Sequence, residues 1–257
     1  MDTTCKAEDR AAARACRLAG LALLAALACP GALAQVPAAT STAPAVVSKN
    51  LAPGFARLSV DDQVLLMPID VELFSLGVGG IPEPRADWTA KALGNMAQAI
   101  QARRQGARVG VVELKPDQAD EFAEQVGLHA AVAQAIALHQ FGGAMWALPS
   151  KQGRLDWSFG EAMLPLRAAS GGARYGLFVW VRDSYTSPER VAAMIALAAL
   201  GIAIPGGIQV GYASLVDLET GRVVWFNQLT RAYGDLREPG PARESIDALL
   251  SGFPGVQ

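Results

Sequence analysis

Two β-forming runs, Ile208–Leu218 and Arg222–Thr230, are separated only by Glu219-Thr220-Gly221. A connection that short joins antiparallel neighbours, and Gly221 stands where the turn needs a positive φ. Residues 208–230 are therefore committed to a β-hairpin.

Upstream, strands alternate with helices. Val64–Ile69 is a short apolar run that reads as a buried strand, and Asp70–Phe74 alternates in a way that continues it. Gly77, Gly79, Gly80, Pro82 and Pro84 break the chain into a loop. Ala86–Gln105 reads as a helix, with Asp87 placed to cap its start and Arg103-Arg104 suited to its end. Arg108–Leu114 is a strand, and Pro116 opens a helical stretch to Gln140. Along it Phe122, Val126, His129, Val132 and Ile136 recur at three- and four-residue steps. Asp156–Glu161 leads into a third helix ending near Ala169. Tyr175–Val181 is strongly β-forming, and Pro241–Leu250 closes the chain as a short helix.

Strands separated by helices need crossover connections, and the hairpin adds an antiparallel element. The expected fold class is α/β: a mixed β-sheet of about four to five strands with helices packed on it and a C-terminal β-hairpin. No internal repeat is evident.

The first 34 residues read as an export signal. Arg10, Arg14 and Arg17 precede the apolar run Leu18–Ala28, and Ala32-Leu33-Ala34 supplies the small residues of a cleavage site before Gln35. The apolar run is too short to span a bilayer, which takes roughly 20 residues. An alternative processing point is Cys29, where Ala26-Leu27-Ala28-Cys29 has the outline of a lipoprotein box and would make Cys29 the lipidated residue. Residues 35–57, rich in Pro and Ala, read as a flexible linker. The domain is expected over 58–251, with 252–257 as a tail.

Cys5, Cys16 and Cys29 all precede the expected cleavage after Ala34, so the exported chain carries no disulfide framework and no cysteine-based metal site. That suits an oxidising compartment such as the periplasm. Beyond residue 34 there are 18 basic and 21 acidic residues, which gives no electrostatic case for nucleic acid.

Chemistry-bearing motifs are few. The Gly77–Gly80 loop follows a strand, but Pro82 stands where a dinucleotide fingerprint needs its third glycine, and no Gly-Lys-Ser/Thr follows. There is no Gly-x-Ser-x-Gly elbow. His129 and His139 are ten residues apart on one expected helix, too far along its axis to share a metal. No cofactor and no metal ligand set is expected. Asp70, Glu72, Glu83 and Asp87 are the carboxylates that a hydrolase or a cation-dependent enzyme would use, which is the alternative reading.

Two elements stand out as contact surfaces. Glu83, Arg85, Asp87 and Trp88 form the most distinctive polar string, suited to a structural anchor or a recognition surface. Val191–Ile204 is almost purely apolar and, at fourteen residues, too short to span a membrane. It reads either as a buried helix or as an apolar face, with Ile195 and Leu200 on it, for self-association or for a membrane. It lacks the Lys/Arg-rich polar face of an interfacial helix, which favours a protein partner, a homo-oligomer among the options, over a lipid surface.

Leu215-Val-Asp-Leu-Glu-Thr-Gly-Arg-Val-Val-Trp225 resembles the strand–D-x-x-T-G–strand hairpin of the curli-secretion channel subunit and its relatives. Among these are periplasmic lipoproteins that activate cell-wall synthases or assist polysaccharide export. The matching positions are Asp217, Thr220, Gly221 and Trp225, and the strands at Leu65–Ile69 and Tyr175–Val181 come in compatible order. The resemblance implies an exported α/β domain of the anticodon-binding-like fold, non-enzymatic, often oligomeric and tied to the outer membrane. The channel subunit inserts β-hairpins into the membrane, whereas Val191–Ile204 reads as a helix.

Overall fold

Gln63–Leu66 (β1) and Asp70–Leu76 (β2) are two pieces of one track, broken at Met67–Ile69. The computed structural model describes residues 48–105 and 108–255, and in it both pieces lie parallel along the same edge of the long strand Tyr175–Thr186 (β5). β1 runs from Val64↔Tyr175 to Leu66↔Leu177, and β2 from Asp70↔Trp180 to Leu76↔Thr186. Pro68, in the break, has no N–H to give a ladder.

The other edge of β5 takes Gln209–Asp217 (β6) antiparallel, and Val223–Arg231 (β7) follows antiparallel to β6. On the far side, Gly110–Glu113 (β4) extends β1 in parallel, and Pro82–Pro84 (β3) extends β2 antiparallel. Seven segments thus make five tracks of a mixed sheet, with the C-terminal hairpin where the turn signal puts it. β3 was expected as loop. It is an edge strand of three residues, a position where prolines are tolerated.

The hairpin turn shows why its residues are needed. Asp217 Oδ1 accepts the N–H groups of Glu219 and Thr220, both at 3.0 Å, and Thr220 Oγ1 accepts the Arg222 N–H at 3.4 Å. Gly221 sits at φ +67°, and a Cβ there would overlap the Gly160 backbone. Trp225, four residues on, is fully buried.

Alternation along the strands sorts side chains between two cores. Val64, Leu66, Leu177 and Leu215 face Ala86–Arg104 (α1) and Pro239–Leu249 (α5), while Leu65, Met67, Phe178 and Phe226 face Ala123–Ile136 (α2) and Leu164–Ala169 (α3). The long helical stretch expected over 116–140 is in three parts: a 3₁₀ turn Pro116–Phe122, α2, and a π turn Ala137–Phe141. Pro188–Ala198 (α4) connects β5 to β6.

The sheet claims chain before Leu58. Asn50 O accepts the Phe226 N–H, the Ala52 N–H donates to Val224 O, each at 2.9 Å, and Leu51 bridges Trp225. Ala52 and Leu58 are buried. Asn50–Ala52, within the expected linker, is thus tied to the outer edge of β7 beside Val224–Phe226, next to the Trp157–Val223 hydrogen bond on the same edge. The signal segment, the cleavage site, Cys29 and residues 35–47 lie outside the described residues.

Candidate functional site

Trp88 lies in the first turn of α1. Its indole meets the Tyr185 ring edge-on, with centroids 5.8 Å apart. Two guanidinium groups lie against it, Arg85 at 4.3 Å and Arg237 at 4.4 Å from the ring centroid. Arg237 also reaches Tyr185, at 4.3 Å. Each arginine is held by a neighbouring carboxylate: Arg85 Nε by Asp87 at 3.3 Å, and Arg237 Nη2 by Asp235 at 2.7 Å. That hydrogen bond from Arg237 holds the Asp235 carboxyl below its ordinary range. Asp87, expected as a cap, pairs with Arg85 instead, and Arg85 itself occupies the cap position without a side-chain cap bond.

Below this cluster runs a buried polar chain. Tyr185 Oη donates to Asp183 Oδ2 at 2.5 Å and accepts the Leu236 N–H at 2.8 Å. Gln209 Nε2 donates to the same carboxylate oxygen at 2.8 Å, and Ser245 Oγ donates to Gln209 Oε1 at 2.8 Å. Burial pushes the Asp183 carboxyl above its ordinary value, against the pull of the Tyr185 and Gln209 hydrogen bonds. Through Tyr185 and Leu236, the segment carrying Asp235 and Arg237 is fixed beside Trp88.

The second surface is α4. Ser187 Oγ caps it by accepting the Arg190 N–H at 3.2 Å, and Pro188 follows at the first helical position. Its one buried residue is Arg190. The guanidinium donates to the carbonyls of Gly77 and Val78, both at 3.3 Å, and of Pro205 at 3.0 Å. Nε is buried without a partner. Met194 and Leu197, on the side of Arg190, are half-buried, whereas Ile195 is 69% exposed, and Leu200, just past the end of the helix, is 75% exposed, with Val191, Ile202 and Ile208 exposed as well. On the loop that Arg190 grips, Val78 and Ile81 are exposed too. Of the two readings of Val191–Ile204, the buried helix does not hold at these positions. The face opposite Arg190 has no sheet beneath it.

The four carboxylates of the enzymatic alternative do not converge. Asp70 and Glu72 both pair with Arg182, at 2.7 and 3.3 Å. Asp87 pairs with Arg85, and Glu83 is exposed on β3 opposite Ser75, near the other end of β2. Among the described residues no group of three or more His, Cys, Asp or Glu is placed to hold a metal ion. No described helix is long and apolar enough to cross a membrane.

His129 is buried, stacked on Phe178 with centroids 3.8 Å apart, and bonded through Nε2 to Ser214 Oγ at 2.6 Å. Burial lowers its pKa to about 3, so it is neutral at physiological pH. His139 is half-buried and meets the Trp146 carbonyl at 2.7 Å.

Sequence reasoning marked Glu83, Arg85, Asp87, Trp88, Ile195 and Leu200 but missed Tyr185, Asp235 and Arg237, which complete the Trp88 cluster, and Arg190, which anchors α4. Tyr185 lies about a hundred residues from Trp88 and Arg237 about a hundred and fifty, so no local spacing announces the cluster. Arg190 did carry a signal: it is the last charged residue before an apolar run.

No protein-family model matches the sequence, and no curated protein does. Among solved structures the chain has distant similarity to the PelC dodecamer from Paraburkholderia phytofirmans, at 16% identity over 78% of this chain and 93% of that one, with a TM-score of 0.38. It is similar to the LpoB C-terminal domain from Salmonella enterica at 14% identity, 70% and 87% coverage and a TM-score of 0.25. Lipoprotein GNA1162 from Neisseria meningitidis matches at 13% identity, 74% and 97% coverage and a TM-score of 0.29.

Proposed function

We propose that this chain is an exported, non-catalytic protein of the bacterial envelope that works through protein contacts, and that its α4 face binds a second copy of the chain. The observation that carries the reading is the inversion of α4: its arginine is buried, and Ile195 and Leu200 stand in water. Burying each such side chain contributes about 1.5–3 kcal/mol, and an apolar face rimmed by few charges marks an association site. The polar cluster of Glu83, Arg85, Asp87 and Trp88 is the second contact element. Residues 1–34 supply the export signal, which places the domain in the periplasm, in association with the outer membrane if Cys29 is lipidated.

The test is the assembly size of the full chain against an Ile195→Asp, Leu200→Asp variant, by light scattering. The expected outcome is a folded variant of smaller assembly size. Equal sizes would reject the α4 contact. Intact mass from fractionated cells tests the location: a chain beginning at Gln35 in the periplasmic fraction, or at a lipidated Cys29 in the membrane fraction, agrees with export. An unprocessed chain in the cytoplasm contradicts it.

A further inference from the structure

A cleft opens on the α2 side of the sheet, where the track breaks between β1 and β2. It is lined by Met67, Phe178 and Tyr212, and by Val126, His129 and Ala130 of α2. Trp180 also lines it, stacked on Tyr212 with centroids 5.0 Å apart and planes within 10°. His129 and Phe178 are stacked within 9°. Four of the lining residues carry flat rings, His129, Phe178, Trp180 and Tyr212, and they are locked in place by one another. At the mouth stands Asp70, tied to Arg182.

We propose that this cleft binds a small neutral aromatic molecule of one or two fused rings. Size is the first argument. The cavity holds about 180 Å³, and an apolar protein cavity of about 150 Å³ takes up benzene. Shape is the second: the ring faces are taken by one another and, at Trp180, by the Arg182 guanidinium at 4.7 Å, so the rings can offer a guest their edges, and an edge-on contact favours a flat aromatic guest over a branched aliphatic one. Charge is the third. The lining histidine is uncharged, and Asp70 at the mouth is paired with Arg182, so the cleft carries no net charge and suits a neutral guest over an ion. The cleft lies apart from Trp88 and from α4, so this inference does not depend on the contact function.

Indole is the probe, titrated into the full chain by calorimetry and followed by the NMR signal of the Trp180 side-chain N–H. The expected result is one saturable site with a Kd below about 1 mM, and benzoate bound at least about tenfold more weakly. Ala130→Leu fills the cleft from the helix side and should weaken indole at least about tenfold with the melting temperature kept. Val126→Leu, on the same wall, serves as the second variant should the first fail to fold. A response that does not saturate, or benzoate binding equal to indole, would overturn the proposal, as would indole binding unchanged in a folded wall variant.

Discussion

Trp88 and Ile195 both bring a large nonpolar side chain to the surface, and their surroundings are opposite in kind. Around Trp88 the neighbours are cations and rings: Arg85, Arg237 and Tyr185 cover the indole, and a buried chain through Asp183 and Gln209 fixes them. Ile195 is exposed, and the nearby charge, Arg190, is spent on backbone carbonyls underneath. One surface is internally satisfied. The other is complete only when something apolar is laid against it. A helix whose most buried residue is an arginine leaves part of its apolar surface free, unlike an ordinary amphipathic surface helix.

If that contrast holds, truncation should hurt most where the neighbours are satisfied. Trp88→Ala removes a half-buried ring with its edge-on partner and two cation contacts, and should cost about 2–3 kcal/mol in chemical denaturation. Tyr185→Phe keeps the ring but withdraws the donor to Asp183 and the acceptor for Leu236, for about 2 kcal/mol. Arg190→Met preserves the stem and removes the three carbonyl contacts. It also removes a buried charge, so the net loss should be about 1 kcal/mol. The sign of that variant is in its hydrogen exchange: amides of α4 should speed up while those of β5 do not. Compared at a dilution where both chains are monomeric, the Ile195→Asp, Leu200→Asp pair should change stability by no more than about 0.5 kcal/mol, although its assembly changes most. A large loss of stability there would mean that α4 is core, and the contrast would fail.

Much of the fold was legible because each element carries its own periodicity. Val64 to Met67 alternates between the two cores residue by residue, and Asp217, Thr220 and Gly221 each do a job in the turn that their chemistry dictates. The β1–β2 break reads as one track with a proline in it. β3 was illegible, since a Pro-Glu-Pro segment has no strand propensity and exists only because the edge of β2 accepts it. The site was half legible. The apolar run showed a surface worth asking about, but whether it faced the sheet or the water depended on Arg190 finding the carbonyls of Gly77, Val78 and Pro205, which sequence spacing does not encode. The Trp88 cluster likewise needed Tyr185 and Arg237 to arrive from distant segments.

The most direct measurement is hydrogen exchange of the full chain as a function of its own concentration, read segment by segment. Self-association through α4 predicts that protection over residues 188–204 rises with concentration, while the first turn of α1 around Trp88 exchanges at a constant rate. Protection over 188–204 that stays flat across the concentration range, with any rise falling elsewhere, would contradict the account.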